Sequence, residues 1–149
     1  MKCPMLATAI LALAHNLAQA SDFSGRWVGK TEGILSTGAP ANICDVSMTI
    51  NQAEASYTQA LKVICGDIGI LDEDKTLMIR GNDLLLEGAL IGSLTDSDID
   101  AAVYYGRYGI VVRSQGSLKD TTLHLTISFG APGTPDPVSM GAALKRVGP

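Results

Sequence analysis

The segment CDVSMTINQAEASYTQALKVIC, residues 44–65, alternates apolar and polar side chains on either side of a polar centre. A period of two is typical of half-buried β-strands, so the segment predicts a hairpin. A turn at Glu54-Ala55 places the apolar residues of both strands on one face of the sheet. The predicted cross-strand pairs are Val46 with Val63, Met48 with Leu61, and Ile50 with Gln59.

The same register sets Cys44 directly opposite Cys65. Cross-strand neighbours lie about 4.5 to 5.5 Å apart at Cα, which a disulfide can span. These two cysteines and His124, the only histidine after residue 20, leave a tetrahedral zinc site one ligand short. The sequence therefore predicts one disulfide and no metal site.

A second hairpin is indicated by Gly81-Asn82, a dipeptide that tolerates the positive φ of a tight turn. This turn brings apolar residues of the two flanking strands together on one face. The predicted pairs are Leu77 with Leu86, Ile79 with Leu84, and Arg80 with Asp83.

A third hairpin is predicted to turn near Lys119-Asp120. It pairs Val112 with Ile127 and Ile110 with Phe129. The opposite, solvent-facing side of its strands carries the polar residues Arg113, Gln115, His124 and Thr126.

Four more segments alternate as half-buried strands: 25–32, 88–94, 99–105 and 138–147. We therefore expect one all-β domain over residues 21–149. Its predicted architecture is a single antiparallel up-and-down β-barrel of eight or nine strands, with a β-sandwich as the alternative. Residues 131–137 carry three prolines, which cannot donate to a β-ladder, and are predicted to form a loop.

The first 20 residues have the features of a signal peptide: Lys2, an apolar run from Met5 to Ala14, and the small-x-small pattern Ala18-Gln19-Ala20. We expect cleavage after Ala20 and a periplasmic or secreted product. The apolar run is too short to span a bilayer, so stable membrane insertion is not expected.

Composition excludes several classes of protein. With 46% hydrophobic and 17% charged residues, the chain is neither disordered nor collagen-like. Cleavage after Ala20 removes one of 11 Lys and Arg and none of 15 Asp and Glu, so the product is acidic. Nucleic acid and anionic lipid are therefore not expected as partners.

The segment Phe23-Ser24-Gly25-Arg26-Trp27 resembles the opening Gly-x-Trp of the lipocalin and wider calycin barrels. Leu144-Lys145-Arg146 is similar to the arginine-bearing last strand of that family. The resemblance implies that Trp27 closes one end of the barrel under Arg146 in a cation–π contact, worth about 0.5 to 2 kcal/mol. The layout is also similar to small secreted bacterial proteins of unassigned function that carry one disulfide.

Residues able to perform catalysis or bind a cofactor lack the necessary arrangement. His124 lies on the solvent face of its strand, and its spacing gives no evidence of a Ser-His-Asp triad. The acidic run from Asp96 to Asp100 departs from the EF-hand pattern, because Ala101 and Arg107 stand where glycine and glutamate belong. No enzyme activity, catalytic residue, cofactor or metal ligand is predicted.

Three of the four tyrosines lie in Tyr104-Tyr105-Gly106-Arg107-Tyr108. In a regular strand, Tyr104 and Tyr108 share the inner face with Ile110 and Val112, although a bend at Gly106 or Gly109 would break this register. The predicted ligand-binding residues are those expected to line the inside of the barrel: Tyr57, Gln59, Tyr104 and Tyr108.

Two functions follow from this prediction. A hollow barrel would bind a small apolar or amphipathic ligand, and an interior of about 300 Å³ or more would favour this function. A filled barrel would instead suit a secreted inhibitor or an adhesion protein that binds another exported protein through its loops. The segments to watch would then be the residues before Phe23 and the loops around Asp96 and Pro132.

Overall fold

The computed structural model describes residues 22–135 and 138–148, without the side chains of residues 70–73. The predicted signal peptide, residues 1–20, lies outside the described residues, as do Asp136 and Pro137 of the proline-rich loop. Among the described residues, none belongs to a helix long and apolar enough to cross a bilayer.

The described chain is all-β and forms ten strands. They are β1 (Gly25–Leu35), β2 (Asp45–Gln52), β3 (Ser56–Cys65), β4 (Ile68–Arg80), β5 (Asp83–Leu86), β6 (Ala89–Leu94), β7 (Asp98–Tyr105), β8 (Ile110–Lys119), β9 (Thr122–Gly130) and β10 (Val138–Val147). The number exceeds the predicted eight or nine, and each of the ten strands corresponds to a segment identified by its alternation. The short strands β5 and β6 are joined by a tight turn at Glu87-Gly88, where both residues have positive φ.

All ten strands belong to one antiparallel sheet that closes into a ring. Each strand pairs with its neighbours in sequence, and β1 pairs with both β2 and β10. Gly29 lies at the seam between β1 and β10, where a Cβ would come within 2.4 Å of the Ala143 carbonyl oxygen. The closed sheet leaves no unpaired edge strand among the described strands.

Alternate strand directions divide the connections between two ends of the ring. We call the first the disulfide end, since it holds Cys44 and Cys65; its connections are 36–44, 66–67, 87–88, 106–109 and the residues after Gly130. The opposite end is the Trp27 end; its connections are 53–55, 81–82, 95–97 and 120–121.

The first two predicted hairpins are confirmed. In β2 and β3, Val46 pairs with Val63 and Ile50 with Gln59, as the sequence pattern predicted. Cys44 and Cys65 form the predicted disulfide with a Cα–Cα distance of 4.3 Å. In β4 and β5, the observed pairs include Ile79 with Leu84 and Arg80 with Asp83.

The predicted register of the third hairpin is wrong by two residues. Val112 pairs with Phe129 rather than with Ile127, and the turn lies at Asp120-Thr121. The reason is that Asp120 adopts a left-handed φ of 53°, which the prediction did not anticipate for a turn without glycine. A shift of two residues keeps every side chain on its predicted face, so the solvent-facing set of polar residues is confirmed.

The core lies inside the ring, where alternate side chains of β2, β3, β7, β8 and β9 are buried. In β9, for example, Leu123, Leu125 and Ile127 are buried while His124 and Thr126 are exposed. The largest fully buried side chains are Trp27, Tyr57, Phe23 and Met48.

Candidate functional site

The Trp27 end is closed by the contact that the lipocalin resemblance implied. Trp27 and Arg146 are direct cross-strand neighbours, and the guanidinium carbon lies 4.6 Å from the indole centroid. The indole N–H donates a hydrogen bond of 2.9 Å to the Phe23 carbonyl. Arg146 donates a hydrogen bond of 2.6 Å to the Asp22 carbonyl, so the segment before β1 is held across this end.

Tyr57 and Gln59 lie inside the ring near the Trp27 end, as predicted. The Tyr57 hydroxyl donates to Oε1 of Gln59 over 3.1 Å, so the two polar groups satisfy each other. Burial raises the pKa of the Tyr57 hydroxyl far above its ordinary value, so this residue stays neutral. Tyr57 and Gln59 therefore form a hydrogen-bonded polar pair that is buried in the core.

The predicted inward orientation of Tyr104 and Tyr108 is wrong. Tyr104 and Tyr108 expose 57% and 55% of their surfaces, whereas Tyr105 is buried at 8%. The inner face of β7 carries Ile99, Ala101, Val103 and Tyr105, and the strand ends at Tyr105. Residues 106–109 form the turn to β8, so the alternation from Ile110 cannot be extended back through them.

Tyr57 and Gln59 are enclosed by their neighbours inside the ring. A space large enough for water would leave accessible surface on the side chains that line it. Tyr57 exposes 0% of its surface and Gln59 exposes 6%. Within the described chain, every buried side-chain nitrogen and oxygen has a hydrogen-bond partner. The predicted cup therefore has no water-sized space beside Tyr57.

The disulfide end carries most of the exposed apolar surface. Nine large hydrophobic side chains are exposed within the described residues, and seven of them belong to this end: Ile34, Ile43, Ile68, Leu90, Tyr104, Tyr108 and Val138. Each of its five connections contains one of them or has one within two residues. We call this set the apolar rim.

Sequence reasoning missed the apolar rim because it assigned faces to side chains and did not compare the two ends of the strands. The signal was present, since these residues lie within two positions of a turn or in the connection itself. The connections of the Trp27 end hold Ala53-Glu54-Ala55, Gly81-Asn82, Thr95-Asp96-Ser97 and Asp120-Thr121, which lack large apolar residues.

The apolar rim is supported by a rigid framework. The disulfide joins the 36–44 connection to the end of β3, and Oγ1 of the buried Thr31 accepts a hydrogen bond from the Cys44 N–H at 2.9 Å. Ser36 exchanges hydrogen bonds with Ser139 of β10, through its N–H at 2.8 Å and its hydroxyl at 3.0 Å. These contacts fix the positions of Ile34 and Ile43.

Cationic groups lie over two aromatic rings at the same end. The Arg107 guanidinium carbon lies 5.6 Å from the centroid of Tyr108, and Nζ of Lys75 lies 5.0 Å from that of Tyr105. Tyrosine and arginine side chains that combine apolar area with hydrogen-bonding tips are enriched in protein–protein interfaces.

The acidic run from Asp96 to Asp100 includes one carboxylate that is paired with an arginine. Arg113 donates two hydrogen bonds to Asp100, of 2.7 and 2.5 Å. This guanidinium holds the pKa of Asp100 below its ordinary value. Within the described residues, no group of three His, Cys, Asp or Glu side chains is placed to hold a metal ion.

Comparison with known proteins gives no family: no protein-family model matches the chain, and no curated protein matches it.

Proposed function

We propose that this chain is an exported interaction protein that binds another exported protein through the apolar rim. The observation that carries the proposal is the concentration of exposed apolar side chains at one end of the ring. Single exposed apolar residues need no explanation, but a set of them around one end is typical of a binding surface.

The close packing around Tyr57 and Gln59 supports a surface rather than a cavity as the site of binding. A small apolar ligand in the ring would need space beside Tyr57 and Gln59, and these side chains already contact each other. The proposal therefore follows the second of the two predicted functions, in which the loops recognise a partner.

A protein suits the apolar rim better than a lipid surface does. The whole chain has a net charge of −4, which opposes approach to anionic membranes. At the apolar rim, Arg107 and Tyr108 add residue types that dominate the binding energy of protein interfaces.

The proposed fold type is a lipocalin-like barrel, supported by the closed ring and by Arg146 over Trp27. Export is proposed to the periplasm or the outside of the cell after cleavage at Ala20. The disulfide fits an exported protein, since such bonds persist in oxidising compartments.

The experiment places a photoreactive phenylalanine analogue at Tyr108, on the apolar rim, in protein made by its own organism. The matched control places it at Met78, near the Trp27 end, which is exposed at 57% against 55% for Tyr108. We expect a discrete crosslink to one other exported protein from Tyr108 and none from Met78. Equal crosslinks from both positions would contradict the proposal.

Two measurements strengthen this test. Tyr108→Ser and Leu90→Ser variants should each weaken capture of the crosslinked partner by at least about tenfold, if the apolar rim holds the dominant contacts. Native mass spectrometry of the purified protein should show no small molecule retained by the chain. A stoichiometric bound ligand would instead support the hollow-barrel function.

A further inference from the structure

The outer face of β7, β8 and β9 carries three cross-strand rows of mainly polar residues. In the middle row, Ser93 of β6 pairs with Asp100, Asp100 with Gln115, and Gln115 with Thr126. In the row nearer the Trp27 end, Asp98 pairs with Ser117 and Ser117 with His124. The third row holds Ala102, Arg113 and Ser128. Neighbouring strands lie about 4.8 Å apart, so hydrogen-bonding groups repeat at that spacing across the sheet.

The middle row and the row nearer the Trp27 end line a groove of about 510 Å³. Its polar lining comes from Ser93, Asp98, Asp100, Gln115, Ser117, His124 and Thr126. Ligand sites commonly measure about 300 to 1,000 Å³. A second, smaller hollow of about 190 Å³ is lined by the third row, Ala102, Arg113 and Ser128, and by residues that follow β9.

The acidic groups of the groove are held in fixed orientations. Arg113 holds Asp100 through two hydrogen bonds, and Nε2 of Gln115 donates to the same carboxylate at 3.3 Å. The Ser97 hydroxyl donates to Asp98 at 2.5 Å. Groups fixed before binding lose little side-chain entropy when a ligand arrives.

Donors and acceptors remain available beside these fixed groups. Within the described chain, no protein partner occupies the Thr126 hydroxyl or the His124 imidazole. Oε1 of Gln115 likewise stays open as an acceptor. A ligand for this surface must therefore both donate and accept hydrogen bonds at short intervals.

Charge narrows the ligand class. The lining of the groove holds the carboxylates of Asp98 and Asp100 and no Lys or Arg, so phosphate or sulfate groups would be repelled. A metal ion lacks a three-ligand cluster within the described residues. Hydroxyl groups, which donate and accept without charge, satisfy both requirements.

We propose that this groove is a binding site for a neutral polyhydroxylated chain, an oligosaccharide, separate from the apolar rim. The hydroxyls of the ligand bond to Gln115, Thr126 and His124, and the Asp100–Arg113 pair keeps the floor of the groove rigid.

The test uses the isotope-labelled mature protein and three neutral probes at millimolar concentration: maltohexaose, cellohexaose and chitohexaose. Backbone amide shifts are followed by NMR. We expect at least one probe to move resonances of β7, β8 and β9 around Gln115 and Thr126, and to leave those of the apolar rim unmoved.

Variants locate the site. The double variant Gln115→Leu, Thr126→Val should weaken that binding by about tenfold, since two hydrogen bonds are lost. His124→Ala, a smaller change, should weaken it by a few-fold. The matched control Thr49→Val, an exposed threonine on the outer face of β2, should leave it unchanged.

Three outcomes of these measurements would overturn the proposal, and a fourth comes from a charged probe. The first three are no shift with any of the three probes, shifts that map outside the groove, and equal affinity in the double variant while its melting temperature matches the parent. Tighter binding of a sulfated hexasaccharide than of the neutral probes would also overturn it.

Discussion

The contact between Trp27 and Arg146 could be predicted from the sequence. The Gly-x-Trp resemblance placed an arginine of the last strand over its ring, and Arg146 lies there. The pairing was predictable because β1 and β10 are the first and last strands of a ring that must meet. The hydrogen bond from the indole to Phe23 was not predictable, since it depends on how the segment before β1 crosses this end.

Arg146→Met should destabilise the protein by about 1 to 2 kcal/mol. The substitution keeps the aliphatic length but removes the cation above Trp27 and the hydrogen bond to Asp22. Urea unfolding followed by Trp fluorescence measures the change. The control Arg26→Met, exposed near the start of β1, should stay within about 0.5 kcal/mol of the parent.

Asp100→Asn should lower the free energy of unfolding at neutral pH, because it removes the ion pair with Arg113. The loss should be only about 0.5 to 1 kcal/mol, since Arg113 is half exposed and solvent screens the pair. The pKa of Asp100 is depressed below its ordinary 3.8 by the hydrogen bond from Arg113. The stabilisation is therefore complete above that ordinary value and is lost as the pH falls through the lower folded value.

Urea unfolding of this variant and the parent at about pH 7 and about pH 2 checks the sign, since the gap should narrow in acid. Asp96→Asn, an exposed residue of the 95–97 turn, is the control and should show little difference at either pH. A gap that widened in acid would contradict the assignment of the ion pair.

The tyrosine cluster shows where residue-level reasoning failed. Tyr104 was assigned inward by counting back from Ile110 through residues 106–109, which form a turn. Counting forward from Ile99 along β7 gives the observed orientation, with Tyr105 inside. Alternation is reliable only within a strand whose ends are known.

At the scale of elements, turn chemistry decided which registers were predictable. Gly81-Asn82 fixed its hairpin because glycine accepts positive φ without strain, and Gly81 has φ of 61°. The turn after β8 has no glycine, and Asp120 adopts the left-handed conformation instead. Only the faces of β8 and β9 could therefore be predicted, and not which residues lie side by side in the polar rows.

Glu87→Asn should stabilise the protein by about 0.5 to 1 kcal/mol. Glu87 has φ of 52° in the turn between β5 and β6, a region costly for most side chains but more accessible to asparagine. Thermal unfolding measures the gain. The control is Glu54→Asn in the turn between β2 and β3, because Glu54 is not among the described residues with positive φ. A similar gain in stability from this control would contradict the backbone explanation.

At the scale of the whole molecule, the ring has two chemically different ends. The Trp27 end is closed by a buried indole and short polar turns, and the disulfide end presents the apolar rim. Periodicity within a strand cannot reveal this difference, because it reports which face a residue occupies and not how far along the ring it lies. The candidate surface therefore emerged only when the strand directions were known.

The double variant Cys44→Ala, Cys65→Ala should lose about 2 to 4 kcal/mol of stability while keeping the β-sheet. The disulfide closes a loop with a sequence separation of 21 and anchors the connection that carries Ile43. Calorimetry gives the loss, and far-ultraviolet circular dichroism checks the fold. The variant melting no earlier than the parent would show that the bridge does not stabilise the protein.

The seam between β1 and β10 has a consequence for how the chain reaches its folded state. Arg26 pairs with Val147 and Thr31 with Ala142, so this ladder joins the residues farthest apart in sequence. Pairing over such separations is slow. Until it occurs, β1 and β10 are edge strands whose unpaired N–H and C=O groups can pair with strands of other molecules. Closing the seam removes both open edges in a single event, so the rate of that event sets how long a newly made chain stays vulnerable to aggregation.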